Sequence, residues 1–357
     1  GLGDVYKRQA LTAIVVGFVG VGISFLSGQV ESFTVYLIGA FVSGFSMCML
    51  NAVVNPMLNT LGGGGNRGNQ LVQFGGSCNS IGATIVPVLV GYLMGDVYSA
   101  SISKANPALF LAMGIFALAF IVLSFVKIPE PHLVTAKKEK EKHSPFSFRH
   151  FVLGTLAIFF YVGVEVGIAN FANLFMTQSV DKGGLAIDTT VAGTIAGTYW
   201  FLMLIGRLTG ASLGAKFSSK SMLTFVSSLG ILLILLAIFL PLSTTVNMPV
   251  FKSDISFGLA EVPIGIMLMI LCGLCTSVMW GNIFNLAVEG LGKYTAAASG
   301  IFMVMVCGGG VLPLIQGAVA DGFGYLASFW VIIVALAYIL YYAQVGSKNV
   351  NKDIPVE

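Results

Sequence analysis

Long apolar runs separated by short polar segments fill the chain from residue 10 to residue 345. About 20 consecutive apolar residues span a bilayer, because in hydrocarbon a helix is what satisfies every backbone N–H and C=O internally. The runs predict ten membrane helices, at 10–27, 33–60, 71–95, 107–127, 151–177, 189–213, 222–241, 259–287, 295–319 and 327–345. Between Lys127 and Arg149 the pattern breaks into the most charged stretch of the chain, with a KKEKEK run, which reads as a linker between two membrane halves. The expected organisation is a non-native or truncated leader at 1–9, an N-terminal bundle at 10–127, a linker at 128–150, a six-helix bundle at 151–345 and a tail at 346–357. Four runs precede the linker and six follow, so if the halves are repeats two helices are expected ahead of the first run.

Composition agrees with this pattern. Charged residues are 9% of the 357 and hydrophobic residues 56%, whereas a soluble domain carries about 25% charged residues. A soluble fold is excluded. Following the chain through ten crossings assigns each polar segment to one side of the membrane. Of the 18 Lys and Arg residues, only Lys104, Lys182 and Lys252 fall on one side. Basic residues collect on the cytoplasmic side of membrane proteins, so the middle loop and the C-terminus are expected there, with a bacterial inner membrane as the location.

Candidate chemistry inside the spans is sparse. Glu165, in YVGVEVGIAN, is the only acidic residue deep within a predicted helix, and a carboxylate at mid-bilayer costs about 2.5–3.5 kcal/mol, so it faces a cavity, a partner or a pathway. Glu261 is placed where the helix beginning at 259 emerges, facing solvent. Amides recur at close spacing: Asn51 with Asn55, Asn79 beside Ser80, Asn170 with Asn173, Asn282 with Asn285. Residues three or four apart share a helix face, and an amide both donates and accepts, which suits a ligand rich in hydroxyls; bonding between helices is the other use of such groups. Trp200, next to Tyr199, and Trp280 lie within spans rather than at their ends, where a flat ring can stack on the apolar face of a sugar. The loop LGGGGNRGN lacks the Lys of a phosphate-binding loop. Cys272 and Cys275 have redox spacing but sit mid-helix without a basic neighbour, which points to packing. No metal cluster, nucleotide fingerprint or nucleophile and base pair emerges, so neither an enzyme nor a nucleic-acid partner is expected.

Several segments together resemble the fucose, galactose and glucose proton symporters of the major facilitator superfamily: NPMLNTLG (55–62), NSIGATIVP (79–87), YVGVE (161–165), GTYWFLMLIGRLTG (197–210), IFNLAVEGLGKYTAAASG (283–300) and GGGVLPLIQGAVAD (308–321). The resemblance implies an all-α polytopic fold of which ten of twelve helices are present, the third to the twelfth. It implies alternating-access import of a monosaccharide by a monomer in the bilayer, with no cofactor and a proton as coupling ion. By position it implies substrate contacts for Asn79, Glu165 and Trp280, joined by Asn51, Asn282 and Trp200 from the residue pattern. Glu165 is the candidate proton carrier. Gly206 and Arg207, near a cytoplasmic loop that continues to Lys216 and Lys220, resemble a conformational gate, and the end-of-helix position also lets Arg207 extend toward water. The chain departs from the family where Asn51 replaces a titratable Glu and where Gly76 replaces a Gln near the sugar. A carrier of another small polar or cationic solute and a sugar sensor without flux are the alternative readings.

Overall fold

The computed structural model describes residues 5–62, 67, 70–71, 74–79, 81–82, 85–86, 105–127, 143–214, 216–252, 256–351 and 353–356. Nine described helices are long and apolar enough to cross a membrane. Three lie ahead of the linker and six after it. The span predicted at 71–95 falls largely outside the described residues, as do Ser80, Pro87 and the KKEKEK run, and the structure gives no account of the Asn55 side chain.

The chain forms two compact units. The first holds α1 (Val5–Gln29), α2 (Phe33–Leu61) and α3 (Asn106–Phe125). Small residues let α1 and α2 approach closely: a Cβ on Gly20 would meet Ser43 at 2.5 Å, and one on Gly39 would meet the Ser24 backbone nitrogen at 2.7 Å. Ser46 donates to the Ala13 carbonyl at 2.6 Å across this crossing. Lys7 reaches the last turn of α3, donating to the Ser124 carbonyl at 2.7 Å.

The second unit comprises residues 62–84 and 141–357. Its helices are α4 (Arg149–Thr177), α5 (Thr189–Leu213), α6 (Ser219–Phe239), α7 (Ile264–Ser277), α8 (Met279–Val288), α9 (Thr295–Val304), α10 (Gly308–Phe323) and α11 (Tyr325–Tyr341). Three of these starts have a clear local cause. Asp188 caps α5 by accepting from the Thr190 and Val191 amides at 2.9 and 3.3 Å, and Ser218 caps α6 through the Ser221 amide at 3.2 Å. The sharp turn from α10 into α11 is made by Gly324, whose φ of 91° is open to glycine at no steric cost.

Helix α4 is the central post, packed by α5, α7, α8, α10 and α11. Positions 159, 163 and 167 lie one turn apart and meet 308, 312 and 316 of α10. A Cβ on Gly308 would overlap the Phe159 carbonyl, one on Gly163 would overlap Leu312, and one on Gly167 would meet the Gln316 amide oxygen at 2.5 Å. This seam occupies one side of α4 and leaves the side carrying Tyr161 and Glu165 for α5.

Two predicted spans are revised. Residues 257–263 are a strand rather than the start of a helix: β1 (Thr245–Phe251) and β2 (Phe257–Pro263) pair antiparallel from Thr245 opposite Pro263 to Phe251 opposite Phe257. Val246, Met248 and Val250 alternate with polar residues and Pro249, a period of two that favours a half-buried ribbon, and Met248, Val250 and Val262 are buried. Glu261 is therefore on β2, exposed, where it accepts from the Thr245 hydroxyl at 2.8 Å. The predicted span 259–287 instead begins at Ile264 and breaks at Val278, between α7 and α8. The span at 295–319 is broken by a tight turn at Met305–Cys307; a few residues later Pro313 in α10 lacks the N–H for a helical bond.

Adding a methyl group at Gly308 pushes on backbone, which cannot yield as a side-chain tip can. Gly308→Ala is expected to cost about 1–3 kcal/mol and to lower the melting temperature of the solubilised protein by several degrees, while Gly310→Ala, which meets nothing within 4 Å, leaves it unchanged.

Candidate functional site

Among the described residues, the second unit buries one ion pair. The Arg207 Nη2 lies 3.6 Å from the Glu165 Oε1, with side chains 9% and 16% exposed. The other arm of the guanidinium, Nη1, donates to the Gly76 carbonyl at 2.9 Å. Gly76 belongs to a helical turn, 74–79, that clusters with this unit although its sequence neighbours at 5–61 do not. A Cβ built on Gly76 would stand 3.8 Å from the Arg207 Cδ, an ordinary van der Waals distance, so the guanidinium packs against this stretch of backbone.

Magnitudes explain why the three groups come together. Inserting an isolated charge costs about 3 kcal/mol, hence about 6 for two. The attraction of opposite charges at this separation is about 4–5 kcal/mol at an effective dielectric near 20. A hydrogen bond from a charged donor, such as that to Gly76, adds about 1.5–3 kcal/mol. Pair and carbonyl together match the insertion cost, and neither suffices alone.

The surroundings are aromatic and polar. Tyr161, one turn before Glu165 on α4, is fully buried, and its hydroxyl interacts with both charged groups without completing a hydrogen bond. Tyr199 of α5 is buried beside them and shares a 2.9 Å hydrogen bond with the Thr276 hydroxyl of α7. Gly206 is the point of closest approach between α5 and α7, since a Cβ there would overlap the Ser277 hydroxyl. That contact fixes the rotation of α5 that turns Arg207 toward Glu165.

One sequence reading changes here. Arg207 does not extend along its helix toward water; the guanidinium turns inward, because Glu165 and the Gly76 carbonyl compensate it there. Tyr161 and Gly76 were not anticipated as neighbours of this pair. The four-residue spacing in YVGVE puts Tyr161 on the face of Glu165, a signal available in the sequence, whereas nothing in the sequence places Gly76 beside Arg207.

The other candidates divide. Trp280 on α8 is half-buried, with Phe284 stacked on it at 5.4 Å and 13° and the edge of Phe302 at 6.0 Å. Trp200 is half-buried and meets the Tyr199 ring edge-on at 5.4 Å. Asn282 is fully buried; its amide nitrogen donates back to the Val278 carbonyl at 2.9 Å, across the break before α8, while its oxygen has no partner. Asn285 spends its amide on the Ser219 hydroxyl of α6 at 2.9 Å, so this pair of amides does not point one way. Asn79 is exposed on the turn that carries Gly76, and Asn51 is exposed on α2 in the first unit.

This fold has counterparts among known proteins. A sequence profile of the Major Facilitator Superfamily matches residues 2–312. The chain belongs to that family. It is an integral membrane protein and not an enzyme. A glucose/galactose transporter of Brucella abortus is 28% identical over 350 residues, covering 96% of this chain and 79% of that protein. The L-fucose-proton symporter of Escherichia coli is 22% identical, over 96% and 79%. Among solved structures, the transporter FucP in the outward conformation superposes with a TM-score of 0.76 at 19% identity, covering 96% of this chain and 84% of that one. The proton:xylose symporter XylE gives 0.66 at 16% identity, over 96% and 81%.

Breaking a buried ion pair leaves one charge uncompensated, a loss of about 3–5 kcal/mol, whereas removing both partners is close to neutral. Glu165→Gln is accordingly expected to lower the melting temperature of the solubilised protein more than the double variant Glu165→Gln with Arg207→Gln. Equal melting temperatures for the two would mean that the pair does not hold the folded state.

Proposed function

We propose that the protein is a secondary active transporter that imports a monosaccharide of the galactose, glucose or fucose type by exposing one site alternately to the two sides of the membrane, with a proton as coupling ion. The observation that carries this reading is the buried Glu165 and Arg207 pair: a carboxylate inside a membrane span, held in a chain whose relatives are sugar carriers. A proton can bind and leave such a carboxylate, and each change of charge alters the balance that keeps Arg207 buried. Trp280 and Trp200 supply aromatic surface for a sugar, and Asn79, Asn51 and Asn282 supply amides. The unpartnered Asn282 oxygen and Tyr161 hydroxyl are buried hydrogen-bonding capacity that a hydroxyl-rich ligand would use.

Arg207, with Gly206 setting its helix against α7, is assigned the gate. The linker and the C-terminus are assigned to the cytoplasm of a bacterial inner membrane, on the sorting of Lys and Arg. One residue favours a second reading: Asn51 cannot titrate, and a sensor that binds sugar without moving it would need no coupling carboxylate at that position.

Uptake of labelled galactose, glucose and fucose by transport-deficient cells decides between them. Accumulation that a protonophore abolishes is the expected result, and no uptake of any of the three would favour another solute or the sensor. Glu165→Gln is expected to abolish uphill accumulation while exchange of sugar across the membrane persists, measured per folded protein; if accumulation and exchange both stay intact, Glu165 is not the carrier. A green fluorescent protein fused at the C-terminus is expected to fluoresce, and a dark, membrane-inserted fusion would reverse the orientation.

A further inference from the structure

The Gly76 carbonyl and the Glu165 carboxylate both hold the same side chain. Arg207 presents a planar fork with several donors in fixed geometry. One arm, Nη2, is on Glu165 of α4 at 3.6 Å and the other, Nη1, is on the Gly76 carbonyl at 2.9 Å. Among the described residues, the titratable and charged side chains that interact with Glu165 are Arg207 and Tyr199 from α5 and Tyr161 from its own helix. Neither tyrosine can replace the guanidinium as a counter-charge, since both are neutral near pH 7.

We infer that Arg207 is a two-armed latch whose grip on the Gly76 turn depends on the charge of Glu165. With Glu165 ionised, the guanidinium is compensated and stays inward on both partners. Without that charge it becomes an uncompensated buried cation. It cannot shed its proton, so it relieves the cost by swinging toward water, and Nη1 leaves the Gly76 carbonyl. Gly76 and Arg207 are positioning residues in this scheme. The inference rests on the reading of Glu165 as the proton carrier but not on the identity of the sugar.

The test uses hydrogen–deuterium exchange of peptides covering residues 70–84 in the full-length protein in lipid nanodiscs, without sugar. Glu165→Gln, which alters no group recorded against Gly76, is expected to raise exchange in this segment at least about fivefold, as is Arg207→Gln. Arg207→Lys keeps the charge pair but has no fork to span both partners; it is expected to show the same rise with wild-type yield, which separates release of the latch from misfolding. The double variant Glu165→Gln with Arg207→Gln is expected to match Arg207→Gln. Exchange in 70–84 that stays at the wild-type rate in Glu165→Gln overturns the latch, even if sugar uptake proves the transporter reading correct. Raised exchange together with no uptake of any sugar would keep the latch and reject the substrate.

Discussion

A carboxylate and a guanidinium among apolar helices are each too costly to bury alone, and much of the second unit can be understood as the arrangement that lets them be buried together. Glu165 on α4 and Arg207 on α5 compensate each other, and the Gly76 carbonyl accepts from the second arm of the guanidinium. An ion pair of this kind adds little net stability compared with a hydrophobic alternative. What it supplies is a charge balance that a single proton can upset, which a transporter can use and an inert core cannot.

The helices around the pair are placed by close contact rather than by a hydrophobic gradient, since lipid is as apolar as the side chains that face it. Glycines therefore carry the positional information. Gly163, Gly167 and Gly308 seat α10 on one side of α4, and Gly206 seats α7 against α5. The remaining side of α4 is the one that presents Tyr161 and Glu165. A contact without any chemistry of its own thus decides where the chemistry points.

The β-hairpin belongs to the same logic. It is clipped to α5 by the Phe251 amide, which donates to the Thr198 hydroxyl at 3.0 Å, and by the Phe201 ring, stacked on Phe251 at 4.6 Å and 2° with Phe257 edge-on. At the opposite end of the unit the tail returns over the helix ends: the Arg149 amide donates to the Asn351 side chain at 3.0 Å and the Lys293 amide to the Val356 carbonyl at 3.0 Å. These ties hold α4 at its first residue, Arg149, and α5 near its middle, at Thr198 and Phe201.

The sequence by itself determined the membrane class, most of the spans and the candidate residues Glu165, Trp200, Trp280 and Arg207, because the bilayer imposes a length of apolar chain and a penalty on charge that any window of residues displays. The family followed from local segments for the same reason, each segment being readable without its neighbours. The tertiary structure decided which of these residues meet. Helices that are apolar on every side carry no periodicity to say which face turns inward, so the pairing of Arg207 with Glu165 could not be read from their positions. Nor could the sharing of its second arm with Gly76, or the separate destinations of Asn282 and Asn285. Those depend on helix rotations set by glycine contacts between segments distant in sequence, and on a hairpin whose period of two was hidden beside a much stronger apolar run.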